Sequence, residues 1–434
     1  MGDLLVALNF IKKNRFMLKK ILFVLLLFPY FAFPQSKILI YMDLKQTDHL
    51  RAYGITYHAL ARGEKADWLL NYRGGSFMLD YTNTNANDCR IEGVAFDALS
   101  ALQAADIYAT VQSEDNNMSV VRLEKAPKIA VYVPPSFQPW DDAVTLVLDY
   151  AKIPYTKIWN DEILRGDLSK YDWLHLHHED FTGQYGKFYA SFSNAQWYID
   201  NQLQYERDAK KNGFKKVSDM MKVVAQTIKN YVGQGGFLFA MCSATDTFDI
   251  ALAAKHTDIC SSMFDGDPPD PDAQQKLDFS NTLAFTNFKL EMNPYVYSFS
   301  NINVQPGEIG SRENDYFTLF DFSAKYDPVP CMLTQDHVNV IHGFMGQTTA
   351  FHKELIKRDV TILAERQGTD QVKYIHGNYG RGTFTFYGGH DPEAYQHLVG
   401  DPPTDLSLHK NSPGYRLILN NVLFPAAKQK KQKT

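Results

Sequence analysis

The stretch that decides the fold is Gly235-Gly236-Phe237-Leu238-Phe239-Ala240-Met241. Five consecutive apolar residues after a glycine turn are typical of a strand that is buried on both faces. The long segment before the glycines, residues 194–232, has helical periodicity. Because a helix that leads into a fully buried strand is typical of a sheet covered by helices, we predict an α/β fold around this segment.

The same pattern recurs towards the N-terminus. Residues 37–70 combine an apolar strand, a helix and a second apolar strand, and we predict that they form a β-α-β unit of a parallel sheet. Two further strands flank the predicted helix at 141–152. The order of elements predicts doubly wound, flavodoxin-like parallel sheets. The predicted strands before residue 237 are 37–41, 66–70, 128–133, 155–158 and 173–177.

Proline at Ala126-Pro127 marks a domain boundary, because it interrupts the pattern before a new strand begins. Residues 263–364 are rich in proline and aromatic residues without a sustained helical period, and we interpret them as an inserted region. The predicted division is 1–36, upstream extension plus signal peptide; 37–125, a smaller N-terminal α/β unit; 126–425, a second α/β domain carrying the insertion; and 426–434, a basic tail.

Residues 17–36 have the pattern of a cleavable signal peptide, with a charged start, a short apolar stretch and a small-residue region. The apolar stretch 21–28 is too short to cross a bilayer. We therefore expect a periplasmic or secreted protein without a transmembrane anchor after cleavage. The net charge of −5 disfavours nucleic acid as a partner. Four cysteines in 434 residues are too few for a disulfide scaffold.

Cys242 is the strongest candidate for chemistry, because it directly follows the buried strand and precedes a predicted helix. A sharp strand-to-helix turn would lift the thiol out of the sheet and place it near backbone N–H groups, which lowers a thiol pKa. The amide of Ser243 would then face a developing oxyanion. Two alternatives stay open: a buried structural cysteine, or a disulfide between Cys242 and Cys260.

The segment 235–244 resembles the nucleophile elbow of class I glutamine amidotransferase-like domains, and 379–393 resembles the last strands of that family, which end in His-Pro-Glu. The resemblance covers residues 128–262 and 370–423. It implies that Cys242 is the nucleophile, His390 its base and Glu393 the carboxylate that orients the imidazole.

The chain departs from that family at three places. Ala240 and Ala244 stand where the elbow has glycines, and the signature is extended to His-Asp-Pro-Glu, so that either Asp391 or Glu393 could orient the base. The glycine-rich oxyanion loop is replaced by charged and bulky residues, which disfavours classical glutamine hydrolysis because acidic groups repel an oxyanion. The candidate ligand-binding residues of this loop are His178, Glu179 and Asp180.

Two further groups of residues are candidates for binding. Arg73 lies in a glycine-containing loop after the second strand and could pair with an anion beside Asp43, although an ordinary turn is the favoured interpretation of the loop. His175 and His177 share one face of a strand and, with Glu179, form an alternative divalent-metal site. Their spacing matches no specific zinc motif.

The overall resemblance is to an exported group often labelled asparagine synthetase B. The sequence lacks the Ser-Gly-Gly-x-Asp-Ser loop that such synthetases use to bind ATP, so that literal activity is not expected. We expect a cysteine hydrolase that acts on an amide or acyl group without a cofactor, the divalent metal being the alternative. The rival hypothesis is a non-catalytic envelope binding or assembly module, and the expected partners are a small-molecule amide, a glycan ligand or an envelope protein.

Overall fold

The computed structural model of the protein describes residues 35–427. Most of the predicted signal peptide and the basic tail from residue 428 lie outside the described residues, whereas Gln35 and Ser36 begin the first strand. Within 35–427, no helix is both long enough and apolar enough to cross a bilayer.

The N-terminal unit is a five-stranded antiparallel sheet with the strand order β4-β1-β3-β2-β5. The predicted parallel β-α-β unit over 37–70 is therefore wrong, because β3 pairs antiparallel with both β1 and β2. Its strands are β1 (Gln35–Ile40), β2 (Ala66–Leu70), β3 (Ser76–Asp80), β4 (Asp97–Ser100) and β5 (Ser119–Leu123), and its helices are α1 (His49–Ala61), α2 (Asn83–Glu92) and α3 (Ala101–Gln112).

The reason for this difference lies in the five residues between β2 and β3. Asn71, Arg73, Gly74 and Gly75 all have positive φ, so the chain reverses tightly and β3 returns beside β2 as a hairpin. The strand that results, Ser76–Asp80, then occupies the place beside β1 that the second strand was expected to take.

The second sheet is larger and mixed. Five consecutive strands, in the order β7-β6-β8-β9-β15, are parallel, and the order continues antiparallel through β14, β13, β10 and β11, with β12 paired to β14. The strands are β6 (Ile129–Tyr132), β7 (Thr156–Ile158), β8 (Trp173–Leu176), β9 (Phe237–Met241), β10 (Tyr316–Leu319), β11 (Val340–His342), β12 (Phe351–His352), β13 (Thr361–Glu365), β14 (Gln371–Tyr379) and β15 (Gly382–Tyr387). The strand predicted at 237–241 is confirmed with the same bounds.

Helices cover this sheet, and residues 35–427 form a mixed α/β structure with two sheets. The region 263–364 contributes β10 to β13 to the larger sheet. The helices of this part are α4 (Ala143–Tyr150), α5 (Asn160–Leu164), α6 (Tyr189–Phe192), α7 (Gln196–Lys211), α8 (Val217–Gly233), α9 (Ala244–Ala253), α10 (Ser262–Asp265), α11 (Pro306–Ile309), α12 (Pro328–Leu333) and α13 (Pro413–Leu423).

The two sheets share one hydrophobic core, in which α1 packs against α13. Arg416 of α13 is completely buried there and donates hydrogen bonds to the carbonyl oxygens of Met42 (3.1 Å) and Gly74 (2.8 Å). Its Nη1 also lies 3.6 Å from Oδ1 of the buried Asp336. The C-terminal helix thus fastens the N-terminal sheet to the rest of the chain.

Candidate active site

Cys242 stands at the sharp turn between β9 and α9, as its position after an apolar strand predicted. Its φ of 49° lies in the left-handed region that residues other than glycine rarely adopt. The turn is fixed on both sides, because the Cys242 N–H donates to the Gly389 carbonyl (3.1 Å) and the Ala244 N–H to that of His177 (3.0 Å). A strained residue held in this way is a common property of functional sites.

The thiol of Cys242 lies beside the imidazole of His390, which follows β15. Burial by itself raises the pKa of this thiol, but a hydrogen bond with His390, the charge of that ring and the amides of Gln347 and Thr348 together lower it below the usual value. The sequence-predicted nucleophile and base are therefore neighbours. Proton transfer between them would yield a thiolate and an imidazolium.

The other three cysteines differ from Cys242 in this respect, although all four are free and buried. Burial raises the pKa of Cys89 and of Cys331 to about 12 and that of Cys260 well above the usual value. No disulfide joins Cys242 to Cys260, whose thiol instead donates to the Thr182 carbonyl (3.1 Å). Cys242 is thus the one described cysteine with a lowered pKa.

The carboxylate closest to the base is Asp141, which the sequence did not single out. Its Oδ1 lies 3.8 Å from Nε2 of His390 and 2.9 Å from Nε2 of His397. Burial opposes ionisation of Asp141, but the neighbouring rings of His390 and His397 and their positive charge hold its pKa well below the usual range. The two predicted orienting carboxylates lie elsewhere.

Glu393 points away from the base and pairs with His409, whose Nδ1 lies 2.9 Å from Oε2 of Glu393. Asp391 accepts hydrogen bonds from the Glu393 N–H (2.8 Å) and the Thr404 hydroxyl (2.7 Å). The extra residue in His-Asp-Pro-Glu therefore closes a local turn around Asp391, which carries Glu393 away from His390.

The loop 344–349, part of the region interpreted as an insertion, brings a backbone donor to the thiol. The Gln347 N–H points at Sγ of Cys242 at 3.3 Å, and the Gln347 side chain donates to the Gly186 carbonyl (2.7 Å). The buried Lys373 donates to the Phe344 and Thr349 carbonyls and so fixes both ends of the loop.

Because the Gln347 N–H lies against the nucleophile, it is a candidate donor to an oxyanion that forms there. The sequence had assigned this role to the amide of Ser243, which directly precedes α9 and is completely buried. That role for Ser243 stays a prediction, and the Gln347 amide is a second candidate donor that the sequence did not indicate.

A cavity of about 600 Å³ opens onto the thiol. Its walls are strongly aromatic, and Trp140 stacks on Phe188 with ring centroids 5.1 Å apart. The polar part of its lining includes Lys187 and Ser191 beside several amide and imidazole side chains. The lining residues include Trp140, His178, Cys242, Tyr295, Tyr297, Gln347, His390 and His397.

In the predicted ligand loop after β8, His178 faces the cavity, whereas Glu179 and Asp180 are buried in the protein interior. His178 lines the cavity, and its Nε2 lies 2.5 Å from Oε1 of Gln138. Glu179 is buried, which raises its pKa to about 8, and it accepts the His177 N–H (2.9 Å). Asp180 accepts the N–H groups of Thr182, Gln184 and Gly186, so it stabilises the loop itself.

His175 and His177, the predicted metal ligands, are fully buried side by side. Nε2 of His175 lies 3.3 Å and Nδ1 of His177 3.2 Å from the same Oδ1 of Asp142. This carboxylate also accepts the N–H groups of Val144 and Thr145 at the start of α4. Asp142 therefore connects the histidine pair to the helix.

The second predicted binding group lies in the N-terminal sheet and not at the cavity. Arg73 donates to Asp43 (2.7 Å), lies 3.3 Å from Asp97 and sits 4.2 Å above the ring of Tyr41. Its guanidinium is thus paired within the protein. The loop is the hairpin turn between β2 and β3, as the alternative interpretation predicted.

The sequence offered one signal for the residues that were missed. Asp141-Asp142 precedes a helix at the carboxyl end of β6, where doubly wound folds place functional groups. No comparable pattern identifies Gln347, because its loop joins the site only through the folding of a long irregular region.

No family model and no curated protein matches the sequence. Among solved structures, the cytoplasmic protein STM3548 from Salmonella typhimurium is 9% identical, with a TM-score of 0.33 over 70% of this chain and 100% of that chain. The cytoplasmic protein STM1381 from Salmonella typhimurium LT2 is 12% identical, with a TM-score of 0.35 over 69% and 100%. The exo-beta-1,4-mannosidase Op5Man5 from Opitutaceae bacterium strain TAV5 is 12% identical, with a TM-score of 0.26 over 60% and 31%. TM-scores this low do not establish a shared fold.

Proposed function

We propose that the protein is a cysteine hydrolase that acts on an amide or acyl group, with Cys242 as nucleophile, His390 as base and Asp141 as the carboxylate that orients the base. The observation that carries the proposal is the lowered pKa of Cys242 at a strained turn beside His390. A thiolate, not a thiol, attacks a carbonyl carbon.

The proposed reaction has two steps. His390 takes the thiol proton, the sulfur of Cys242 bonds to the carbonyl carbon, and the carbonyl oxygen becomes an oxyanion near the Gln347 N–H. The protonated His390 then gives its proton to the leaving amine or alcohol. In the second step His390 activates a water molecule that cleaves the thioester and regenerates the thiol.

The proposal includes three expectations from the sequence: the relation to class I glutamine amidotransferase-like domains, a flavodoxin-like arrangement of the parallel strands, and export to the periplasm or the exterior. The order of Cys242 after β9 and His390 after β15 supports the relation to that family.

The buried Glu179 bears on the repulsion that the sequence predicts near the oxyanion. Its pKa of about 8 favours the neutral carboxylic acid at neutral pH, and a neutral acid repels an oxyanion less than a carboxylate does.

Competitive alkylation tests the proposal. The folded protein is treated with limiting iodoacetamide, and the modified fraction of each cysteine peptide is measured by mass spectrometry over time. Cys242 should react faster than Cys89, Cys260 and Cys331, and H390Q should slow its reaction at least roughly tenfold. H352Q, which alters a histidine paired with Asp370 outside the cavity, serves as the control.

A specific observation favours one second candidate function, that of a binding module. Tyr295 and Tyr297 add to the aromatic wall of the cavity, and flat aromatic rings suit a sugar or another ring-shaped ligand. If Cys242 reacts as slowly as the other cysteines and H390Q changes nothing, the hydrolase proposal is refuted and the binding module is favoured.

A further inference from the structure

Three histidines next to the thiol bring unpaired ring nitrogens together. One ring nitrogen from each of His177, His178 and His390 lies within 4.8 Å of the others. Nε2 of His177, Nδ1 of His178 and Nε2 of His390 make no hydrogen bond among the described residues. Since a buried polar atom without a partner is costly, three such atoms at one place indicate a group that binds them.

The opposite side of each ring is already supported. Nδ1 of His177 lies 3.2 Å from Asp142, Nε2 of His178 lies 2.5 Å from Gln138, and His390 adjoins the thiol. Metal-binding histidines characteristically use their second nitrogen in this way, because the outer partner fixes the orientation and tautomer of the ring. The cluster therefore has ring nitrogens available to bind an ion and outer neighbours that hold the rings in place.

We propose that His177, His178 and His390 bind one divalent transition-metal ion of the Zn²⁺ type. Imidazole nitrogen favours Zn²⁺ and its neighbours over Mg²⁺ or Ca²⁺, which prefer oxygen. Three histidines leave a fourth position free in a tetrahedral site. Because His178 and His390 line the cavity, that position faces the space in which a ligand would bind.

This site differs from the pair that the sequence suggested. Nδ1 of His175 lies 3.2 Å from the Phe239 carbonyl and its Nε2 lies 3.3 Å from Asp142, so both of its nitrogens have neighbours within the protein. His175 does not line the cavity among the described residues. His175 thus adjoins Asp142, whereas His177, His178 and His390 bring one ring nitrogen each within 4.8 Å of one another.

The shared residue His390 links the ion to the proposed hydrolase. A neutral imidazole that binds a metal through one nitrogen carries its proton on the other, so it cannot accept the proton of Cys242. Metal binding by His390 and the thiolate–imidazolium pair of Cys242 and His390 therefore exclude each other. This consequence depends on the proposed function, but binding of the ion does not.

Equilibrium dialysis of the purified chain against Zn²⁺, followed by elemental analysis, tests the site. The wild type should retain one ion per chain, and Co²⁺ should give the visible absorption of a four-coordinate ion. H178Q and H390Q should each weaken binding at least roughly tenfold, because loss of a ligand costs at least as much as loss of an outer partner. H352Q is the control, since His352 pairs with Asp370 outside the cluster.

The outcomes separate this site from the hydrolase. C242S should keep the ion; if it loses the ion, the thiol is a ligand and the three-histidine site is wrong. Failure to bind stoichiometric Zn²⁺, or unchanged affinity in H178Q and H390Q, also overturns the proposal. Zn²⁺ binding together with an unreactive Cys242 refutes only the hydrolase, whereas a reactive Cys242 without Zn²⁺ binding refutes only the metal site.

Discussion

Nε2 of His390 lies 3.8 Å from Oδ1 of Asp141, a residue of the distant segment between β6 and α4. The carboxylate that the family signature assigns to this role, Glu393, instead lies 2.9 Å from His409. The site therefore combines a nucleophile and base that the sequence identified with an orienting carboxylate that it did not identify.

The first prediction compares these two carboxylates. D141N should slow the alkylation of Cys242 at least roughly tenfold and shift its rate profile to higher pH, because a neutral amide no longer stabilises the protonated His390 beside the thiolate. E393Q should leave the alkylation rate of Cys242 and its pH profile unchanged. The rates are measured by mass spectrometry across a pH series. Equal effects of the two variants would contradict the assignment of Asp141.

The second prediction concerns Gly346, which precedes the proposed oxyanion donor. A Cβ at this position would lie 2.8 Å from the backbone N of His390 and 3.0 Å from Sγ of Cys242. The backbone of His390 cannot move aside as a flexible side chain can. G346A should therefore displace the loop 344–349 and slow the alkylation of Cys242. G307A is the matched control, because its Cβ would meet no atom within 4 Å.

A G346A protein that alkylates like the wild type would show that the loop does not constrain the thiol. Thermal unfolding of both variants separates a local displacement from a general loss of stability. We expect a lower melting temperature for G346A than for G307A, since only the former crowds the packed turn around Gly389.

The parts of the fold that local pattern determines were predictable. Five apolar residues fix the strand at 237–241, and the residue after such a strand in a parallel sheet lies at its carboxyl edge, so the position of Cys242 followed. Strand pairing in the N-terminal unit was not predictable in this way. The residues with positive φ between β2 and β3 determine which strands pair. Neither Asn71 nor Arg73 is a residue type that requires a positive φ.

The site required tertiary information for a similar reason. Glu393 matches the family signature in sequence, yet the turn around Asp391 redirects it. Asp141 and Gln347 reach His390 and Cys242 from distant segments, and only the packing of the loops after β6 and β11 brings them there. Sequence spacing carries no signal for such an approach.

The third prediction concerns the buried arginine between the two sheets. R416M should lower the free energy of unfolding by about 3–5 kcal/mol, because it leaves the buried Asp336 without its cationic neighbour and removes the hydrogen bonds of Arg416 to two carbonyl groups. Urea denaturation measures the difference. The double variant R416M/D336N should recover part of the loss, since it removes the uncompensated charge.

K125A is the control for this prediction. Lys125 lies 2.7 Å from Asp172, but its side chain is 63% exposed. Its loss should cost less than about 1 kcal/mol, because water screens an exposed pair. A loss in R416M as small as that in K125A would mean that the arginine does not fasten the two sheets.

The fourth prediction uses Asp246 of α9, whose Oδ1 accepts a hydrogen bond from the Thr348 hydroxyl (2.9 Å). Burial raises the pKa of Asp246 to about 7 from 3.8, so between these values the folded chain keeps a proton that the unfolded chain releases. Rising pH therefore favours unfolding over this range, and the stability contributed by the protonated form is lost as the pH passes through about 7. D246N has no such proton, so the wild type should lose stability relative to D246N as the pH rises. Urea denaturation of both proteins across the range measures this, and a constant difference would show that Asp246 titrates normally.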